Sequence, residues 1–424
     1  MRRIENALIL AGGDSTRFWP LSEKSFFTFL GKPLIMYQIE ELAKYAANLT
    51  IIANKNNAVA IKRLIDNSNI GLTAQVIIQK DTLTGQAGAI YTLKSLIKGE
   101  IIIVNANDVI DYSIIKKIAG TAISKNKMVF VGKKKNEYFP GGYLRFAKNK
   151  ELVEIVEKPK KENIPSNYVK LMADYYSDFG ELIKALEQTT AVNDDHYEQA
   201  INYLLSTEIK RDYIIYEGYW RSLKYPWHVL TMMGTQLESI KEAKISKVAE
   251  IAKSAIITGP VVIEDGVRIG DHAKIAGPTF IGKGSVISDF CLVRNSEIGE
   301  DCLIGSYTEV ARSYIGNKVF LHRNYIGDSV LDDGVMFGAQ AVTANLRFDG
   351  QSVTSLIGDE KVNTDLVKMG SIVGKNSKIG VNSTLTPGVK VGVNCLIMSR
   401  EIARFDLEDN TYLIGGEERE NTNK

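Results

Sequence analysis

The first 235 or so residues alternate short apolar runs with longer amphipathic stretches. The runs Ala7–Leu10, Leu49–Ala53, Gln75–Gln79, Ile101–Val104 and Met128–Val131 have the length and β-branched content of buried strands. Met36–Ala47 and Ala87–Ile97 carry apolar residues at helical spacing and predict helices. Strands alternating with helices predict a mostly parallel sheet with helices on both faces. Such a sheet takes its ligand at the carboxyl ends of its strands.

Near residue 245 the period changes. Isoleucine or valine recurs every six residues at Ile263, Ile269, Ile275, Ile281, Ile287 and Val293. After a slip of phase it resumes at Ile298, Ile304 and Val310, and again at Val373, Ile379, Leu385, Val391 and Ile397. A six-residue repeat predicts a parallel β-helix, three short strands to a coil, with the aliphatic side chains stacked inside. The fourth position after several of these aliphatic residues holds a small side chain, at Ala273, Ser285, Thr308 and Ser377. Cys291, Cys302 and Cys395 occupy the same slot, so they read as packing residues rather than reactive thiols. The expected division is a first domain over 1–237, a linker over 238–250, a β-helix over 251–412 and a frayed tail over 413–424. The junction Ile240–Lys247 reads as a charged helix.

Composition narrows the class. Apolar residues make up 45% of the chain and charged ones 24%, ordinary globular values. A net charge of +2 gives no support for nucleic-acid binding. No apolar run is long enough for a membrane span, and the N-terminus has no signal-peptide pattern, so a cytoplasmic protein is expected. Three cysteines without CxxC spacing argue against a disulfide framework or a zinc site.

The first apolar run ends in Leu10-Ala11-Gly12-Gly13-Asp14-Ser15-Thr16-Arg17, with Lys24 seven residues later. Paired glycines let main-chain N–H groups approach phosphate oxygens, and Arg17 and Lys24 supply counter-charge. The loop reads as a polyphosphate site.

This stretch resembles the opening motif of sugar-1-phosphate nucleotidyltransferases, Gly-Gly-x-Gly-Thr-Arg followed by a lysine. Ser15 stands where glycine is usual and Glu23 where proline is. Phe18-Trp19-Pro20-Leu21-Ser22 is similar to mannose-1-phosphate guanylyltransferases, whereas the Arg17-to-Lys24 spacing is closer to uridyltransferases. The resemblance implies a Rossmann-like α/β nucleotide-diphospho-sugar domain followed by a left-handed parallel β-helix. It implies transfer from a nucleoside triphosphate, UTP or dTTP favoured, to a sugar-1-phosphate. Arg17 and Lys24 would act on the phosphates, and Leu10, Gly12, Gly13, Gln79 and Gly85 would bind the nucleotide. Asp108, after the strand at Ile101–Val104, would hold Mg²⁺. Gly142, Glu157 and Lys158 would meet the sugar phosphate. Two family residues are replaced, the sugar-reading asparagine by Met172 and the second metal aspartate by Ser222. The latter change leaves three readings open: water in its place, weak metal binding, or lost turnover.

The C-terminal half resembles archaeal-type bifunctional enzymes that also acetylate an amino sugar. His322 would be the base for acetyl transfer from acetyl-CoA, with Tyr325 and Asn345 near the sugar. Gln351 stands about where that family often has lysine. A homotrimer through the β-helix is the expectation from resemblance, with no nucleic-acid or membrane partner. A sugar-nucleotide-binding regulatory chain without turnover is the alternative from another class.

Overall fold

The computed structural model describes residues 3–13, 15–68, 70–80, 85–110, 113–121, 127–191 and 195–420. Asp14 of the first loop, Asp81–Thr84 of the nucleobase segment and the end of the tail at 421–424 lie outside them. The chain forms two compact units, Met1–Asp14 with Leu34–Arg221, and Ser15–Pro33 with Ser222–Lys424.

The first unit is built on β1, Ile4–Ala11, whose apolar run is buried on both sides. Ile101–Asn105 and Ala46–Ala53 flank it in parallel, and Thr73–Ile78 extends the sheet beyond Ala46–Ala53. On the other side Tyr168–Tyr176 enters antiparallel to Ile101–Asn105 and carries Gly142–Phe146 and Leu152–Glu157 outward. Four strands share one direction, so their carboxyl ends form one edge. The helices α1 (Leu34–Leu42), α2 (Ala58–Asp66), α3 (Gly85–Tyr91), α4 (Ser113–Thr121), α5 (Phe179–Gln188) and α6 (His196–Leu205) complete the unit. The helix expected over Met36–Ala47 ends at Leu42, because Ala46 already pairs with Ile4 in the sheet. The helix expected to reach Ile97 is regular only to Tyr91 and closes in successive turns.

The second unit is the β-helix. Ile263 lies beside Ile281, Ile298, Ile315, Leu331, Val373 and Val391 on successive coils, and the other two faces stack in the same way. These side chains form one buried core with Cys291, Cys302 and Cys395. The cysteines are free, and Cys302 Sγ approaches the Gly316 carbonyl at 3.0 Å inside a corner. Two sequence expectations change here. Ile240–Lys247 is not helical: Lys244–Ile245 pairs with Val262–Ile263 as the first strand of the β-helix, within the span read as linker. The tail is not frayed throughout, because Glu417–Glu420 folds back on Thr411–Ile414. The coil stack also absorbs an insertion, since Thr343 pairs with Leu385 across the intervening hairpin Thr354–Ile357 and Glu360–Asn363.

One face of the β-helix is unlike the others. Outward-pointing residues are half-buried or exposed at Arg268, Val286, Phe320 and Met336, but Phe280, Glu297, Tyr314, Val330, Ile372 and Lys390 are buried. The segment Ser15–Pro33 and helix α7 (His228–Leu237) cover that face. Thr28 Oγ1 meets Tyr314 Oη at 2.9 Å, the Phe27 ring packs on Tyr314, and Leu30 N–H donates to Glu297 Oε1 at 2.6 Å. Trp19 donates to Asp409 at 2.9 Å and lies under the Lys390 ammonium.

Candidate active site

The nucleotide candidates of the first unit converge on the carboxyl edge. Leu10 is buried near the end of β1, and its carbonyl accepts from Ala106 N–H at 3.0 Å. The chain then enters Gly12 and Gly13. A side chain at Gly12 would bring its Cβ to 2.5 Å from Gln79 Oε1, so glycine lets the loop pass under that amide without displacing the Gln79 side chain. Gln79 follows Thr73–Ile78 and donates from Nε2 to the Gly85 carbonyl at 3.4 Å. Gly85 opens α3 with φ +62°, the left-handed region that favours glycine. Gly12, Gln79 and Gly85 are thereby tied together although they come from three elements. The asparagines Asn54 and Asn57, which sequence reasoning did not single out, brace the loop. Asn57 Nδ2 donates to the Ala11 carbonyl at 2.8 Å and Asn54 Nδ2 to the Gly13 carbonyl at 3.4 Å.

Asp108 follows the strand Ile101–Asn105 and lines a small cavity with Gln38, Asn105 and Met172. Gln38 Nε2 donates to the main-chain carbonyls of Asn105 and Asp108, which pins the turn. Among the described residues no three His, Cys, Asp or Glu side chains are grouped so as to hold a metal ion. Mg²⁺ does not require three, because it takes one or two carboxylates and fills its remaining positions with phosphate oxygens and water. Asp108 fits that donor set.

The sugar candidates lie across a cavity of about 150 Å³ from the nucleotide segment. Gly85, Gln86, Glu157, Lys158, His196 and Glu198 line it. Gly142 pairs with Glu157, and a Cβ there would lie 3.1 Å from Glu157 Oε2, so glycine keeps the carboxylate accessible. Lys158 Nζ is 3.3 Å from Glu157 Oε1, and Lys158 holds a positive φ of 42°. A non-glycine residue in that region costs on the order of 1 kcal/mol and often marks a functional site.

Behind the cavity lies a network that the sequence reading missed. Asp174 is fully buried and accepts from Lys170 Nζ at 2.6 Å and from Tyr197 Oη at 2.8 Å. Tyr197 Oη is also 2.9 Å from Tyr176 Oη. Burial pushes the Asp174 carboxyl upward, and the Lys170 ammonium pulls against it. Met172 sits two residues away, with its sulfur 3.7 Å from Lys170 Nζ. Met172 therefore lies against a buried ion pair. Two opposite charges four residues apart in one strand, Lys170 and Asp174, were the available signal.

Arg17 and Lys24 belong to the second unit. Arg17 is exposed in the single turn Thr16–Phe18, and Lys24 begins the turn Lys24–Phe26 with Nζ 5.7 Å from the Phe18 ring centre. Ser15 has φ 54°, the left-handed conformation that explains glycine at this place in the resembling family. Ser222 is held by its carbonyl, 2.9 Å from His228 Nδ1. Burial lowers His228 to about 4, so its ring is neutral. His228 is thus a packing residue, and His272 stacks on Phe290 with ring centres 5.1 Å apart.

On the β-helix the structure joins two of the three acetyl-transfer candidates. Asn345 Nδ2 donates to Tyr325 Oη at 3.2 Å and also to Asp328, which Arg312 holds bidentately at 2.6 and 2.7 Å. A Cβ on Gly327 would strike both Tyr325 Oη and Asn345 Nδ2, so glycine makes room for the pair. Asp328 and Arg312 were not anticipated. His322 is exposed at a corner of the coil, and no hydrogen bond links it to Tyr325 or Asn345 among the described residues. Gln351 is exposed in the insertion, its N–H on Asp349 at 3.1 Å.

A glycine turn at the carboxyl edge of parallel strands, with the Gln79 amide and a carboxylate-lined cavity beside it, defines a nucleotide-binding α/β unit, here carried on one chain with a left-handed β-helix. The chain belongs to the Nucleotidyl transferase family, which matches residues 6–223, and residues 371–398 match the Hexapeptide repeat of succinyl-transferase. It is 30% identical to a bifunctional protein GlmU of Methanococcus maripaludis strain C7, over 96% of this chain and 97% of that one. It is also 30% identical to a bifunctional sugar-1-phosphate nucleotidylyltransferase/acetyltransferase of Sulfurisphaera tokodaii, over 95% of this chain and 98% of that one. The crystal structure of UDP-glucose pyrophosphorylase complexed with UDP-glucose shares the fold of the first part at a TM-score of 0.50 and 20% identity, covering 56% of this chain and 99% of that one.

Proposed function

We propose that the chain transfers a nucleotidyl group from a nucleoside triphosphate, UTP or dTTP, to a sugar-1-phosphate. The observation that carries this reading is the joining of Gly12, Gln79 and Gly85, with the cavity that places Gly85 opposite Glu157 and Lys158. An oxygen of the sugar phosphate attacks the α-phosphorus. The new P–O bond forms as the bond to the bridging oxygen of the β-phosphate breaks, and pyrophosphate leaves. The nucleophile is already anionic, so the protein's task is alignment and charge neutralisation. The Gly12-Gly13 turn brings main-chain N–H groups to the phosphates, and Gln79 offers its amide to the base. Lys158 holds the sugar phosphate, and Glu157 accepts from sugar hydroxyls. Arg17 and Lys24 balance charge on the triphosphate. Mg²⁺ held by Asp108 neutralises phosphate oxygens when bound. We assign the reaction to the cytoplasm; no helix among the described residues is long and apolar enough to cross a membrane.

A second activity has its own support. The Arg312–Asp328–Asn345–Tyr325 network presents a fixed amide and phenol on the β-helix. We read it as the amino-sugar site of an acetyl-CoA-dependent transferase with His322 as base, in a homotrimer built on the β-helix.

Pyrophosphate release in the presence of Mg²⁺, each nucleoside triphosphate and a panel of sugar-1-phosphates tests the first reading. Release is expected with UTP or dTTP, and Asp108→Asn lowers it by about a hundredfold or more, in proportion to the metal charge stabilisation lost. Nucleotide binding without release from any pair overturns transfer and favours the regulatory alternative.

A further inference from the structure

Lys133, Lys135 and Arg221 gather on one turn of the first unit. The strand Lys127–Lys134 pairs in parallel with Lys210–Ile215, and the chain beyond Ile215 passes over its end. There Lys133 Nζ donates to the Gly218 carbonyl at 2.6 Å and lies 5.2 Å from the Tyr216 ring centre. Lys135 Nζ lies 5.4 Å from the Trp220 ring centre. Arg221 Nη1 donates to the Trp220 carbonyl at 3.1 Å, and its Nε–H is buried with no hydrogen-bond partner among the described residues. No described carboxylate forms an ion pair with any of the three cations. Burial lowers the proton affinity of both lysines. The charges of Lys135 and Arg221 lower Lys133 further, and Arg221 lowers Lys135, while Glu217 and Glu137 oppose the effect. Like charges held together in partial burial carry a cost that a bound anion removes.

The cluster is separate from the sugar cavity. Lys133 pairs with Val169, and Val169 pairs in turn with Tyr143, so these three side chains share one face of the sheet. Lys170 pairs with Gly132, and Gly142 with Glu157, which puts Lys170 and Glu157 on the opposite face. The sugar cavity is lined by Glu157 and lies on that opposite face.

We propose that Lys133, Lys135 and Arg221 form a second anion site, on the reverse face of the sheet, that binds the diphosphate group of a small molecule. Two ammonium groups and a guanidinium with a free N–H match several phosphate oxygens better than one carboxylate. The site goes beyond the nucleotidyl-transfer reading and does not depend on it.

The test is calorimetric titration of the full chain with pyrophosphate, without Mg²⁺. Lys135→Gln and Arg221→Gln are each expected to weaken binding by about tenfold or more, as loss of one charge-assisted contact does, and Arg221→Lys recovers part of it. Should Arg221→Gln fail to fold, Lys135→Gln, just past the strand end, carries the test. A triple variant, Arg17→Gln with Lys24→Gln and Lys158→Gln, removes the cations of the proposed reaction site and is expected to leave binding within about twofold. In that triple variant, titration at about pH 9.5 in buffers of different ionisation enthalpy shows proton uptake, because the anion restores the proton affinity of Lys133 and Lys135. UDP is compared with pyrophosphate, since both carry the diphosphate. Equal affinity identifies the free anion as the ligand, and tighter UDP a nucleotide held also by its base. Binding lost in the triple variant returns the anion to the reaction site and overturns the inference. So does binding that Lys135→Gln and Arg221→Gln leave unchanged, or no binding at millimolar pyrophosphate. None of these outcomes decides nucleotidyl transfer, which pyrophosphate release from sugar phosphates reads separately.

Discussion

Two residues show how local chemistry departs from the family pattern. Ser15 holds a left-handed backbone conformation with a side chain that disfavours it. Ser15→Gly removes that conflict and is expected to stabilise the chain by about 1 kcal/mol, read as a higher urea midpoint. Ser15→Val, β-branched at the same φ, moves the midpoint the other way. Asp174 depends on Lys170 for its charge and on Tyr197 for a hydrogen bond. Lys170→Met leaves a buried carboxylate uncompensated, so a loss of about 3–5 kcal/mol is expected. The double change Lys170→Met with Asp174→Leu recovers most of it, because no buried charge remains. Denaturant unfolding of both variants checks the pair. Sequence patterning showed Met172 as a departure, but the partner chosen by Asp174 was not legible, since Tyr197 comes from α6, a distant part of the chain.

At the scale of elements, the segment Ser15–Pro33 is held on the buried face of the β-helix by Glu297, Tyr314 and Asp409. Burial raises Glu297 from an ordinary 4.5 to about 8. Below pH 4.5 the carboxyl is neutral in both folded and unfolded chains and has no effect on stability. Between 4.5 and 8 the folded state keeps a proton that the unfolded state has released, so stability falls as pH rises, by up to about 1.4 kcal/mol per pH unit. Above 8 the effect levels off. Glu297→Gln keeps the acceptor for Leu30 N–H and cannot ionise, so its stability advantage grows with pH through that window. Thermal melts of the two proteins across the range provide the measurement. Glu297→Lys, which meets the same N–H with a cation, is expected to release Ser15–Pro33 to limited proteolysis.

For the whole molecule, the β-helix core is a single stack of aliphatic side chains in parallel register from Ile257 to Leu413. Deleting one buried isoleucine, as in Ile304→Ala, costs about 2–5 kcal/mol because neighbouring coils cannot close around the gap. The homotrimer proposed from the family resemblance predicts three copies of the 47.0 kDa chain by light scattering. A monomer at micromolar concentration overturns that assembly.

Periodicity determined much of this protein. The six-residue repeat specifies which side chains point inward, and burial of Ile269, Ile287, Ile304 and their neighbours follows from it. The glycine turn after β1 specifies a close main-chain approach, because a Cβ at Gly12 would displace the Gln79 side chain. Both are local properties, set by the spacing of residues along one short stretch. Tertiary structure alone decided the rest. The sequence 240–247 looked helical, yet pairing with Val262–Ile263 made its end a strand, since backbone partners outweigh weak propensity. Outward residues such as Glu297 and Tyr314 are buried only because a segment far away in the chain covers them. The Glu157 and Glu198 carboxylates became one site only when a sheet strand and a helix came to line the same cavity. Long-range juxtaposition of that kind shifts charge and proton affinity, and no spacing along the chain encodes it.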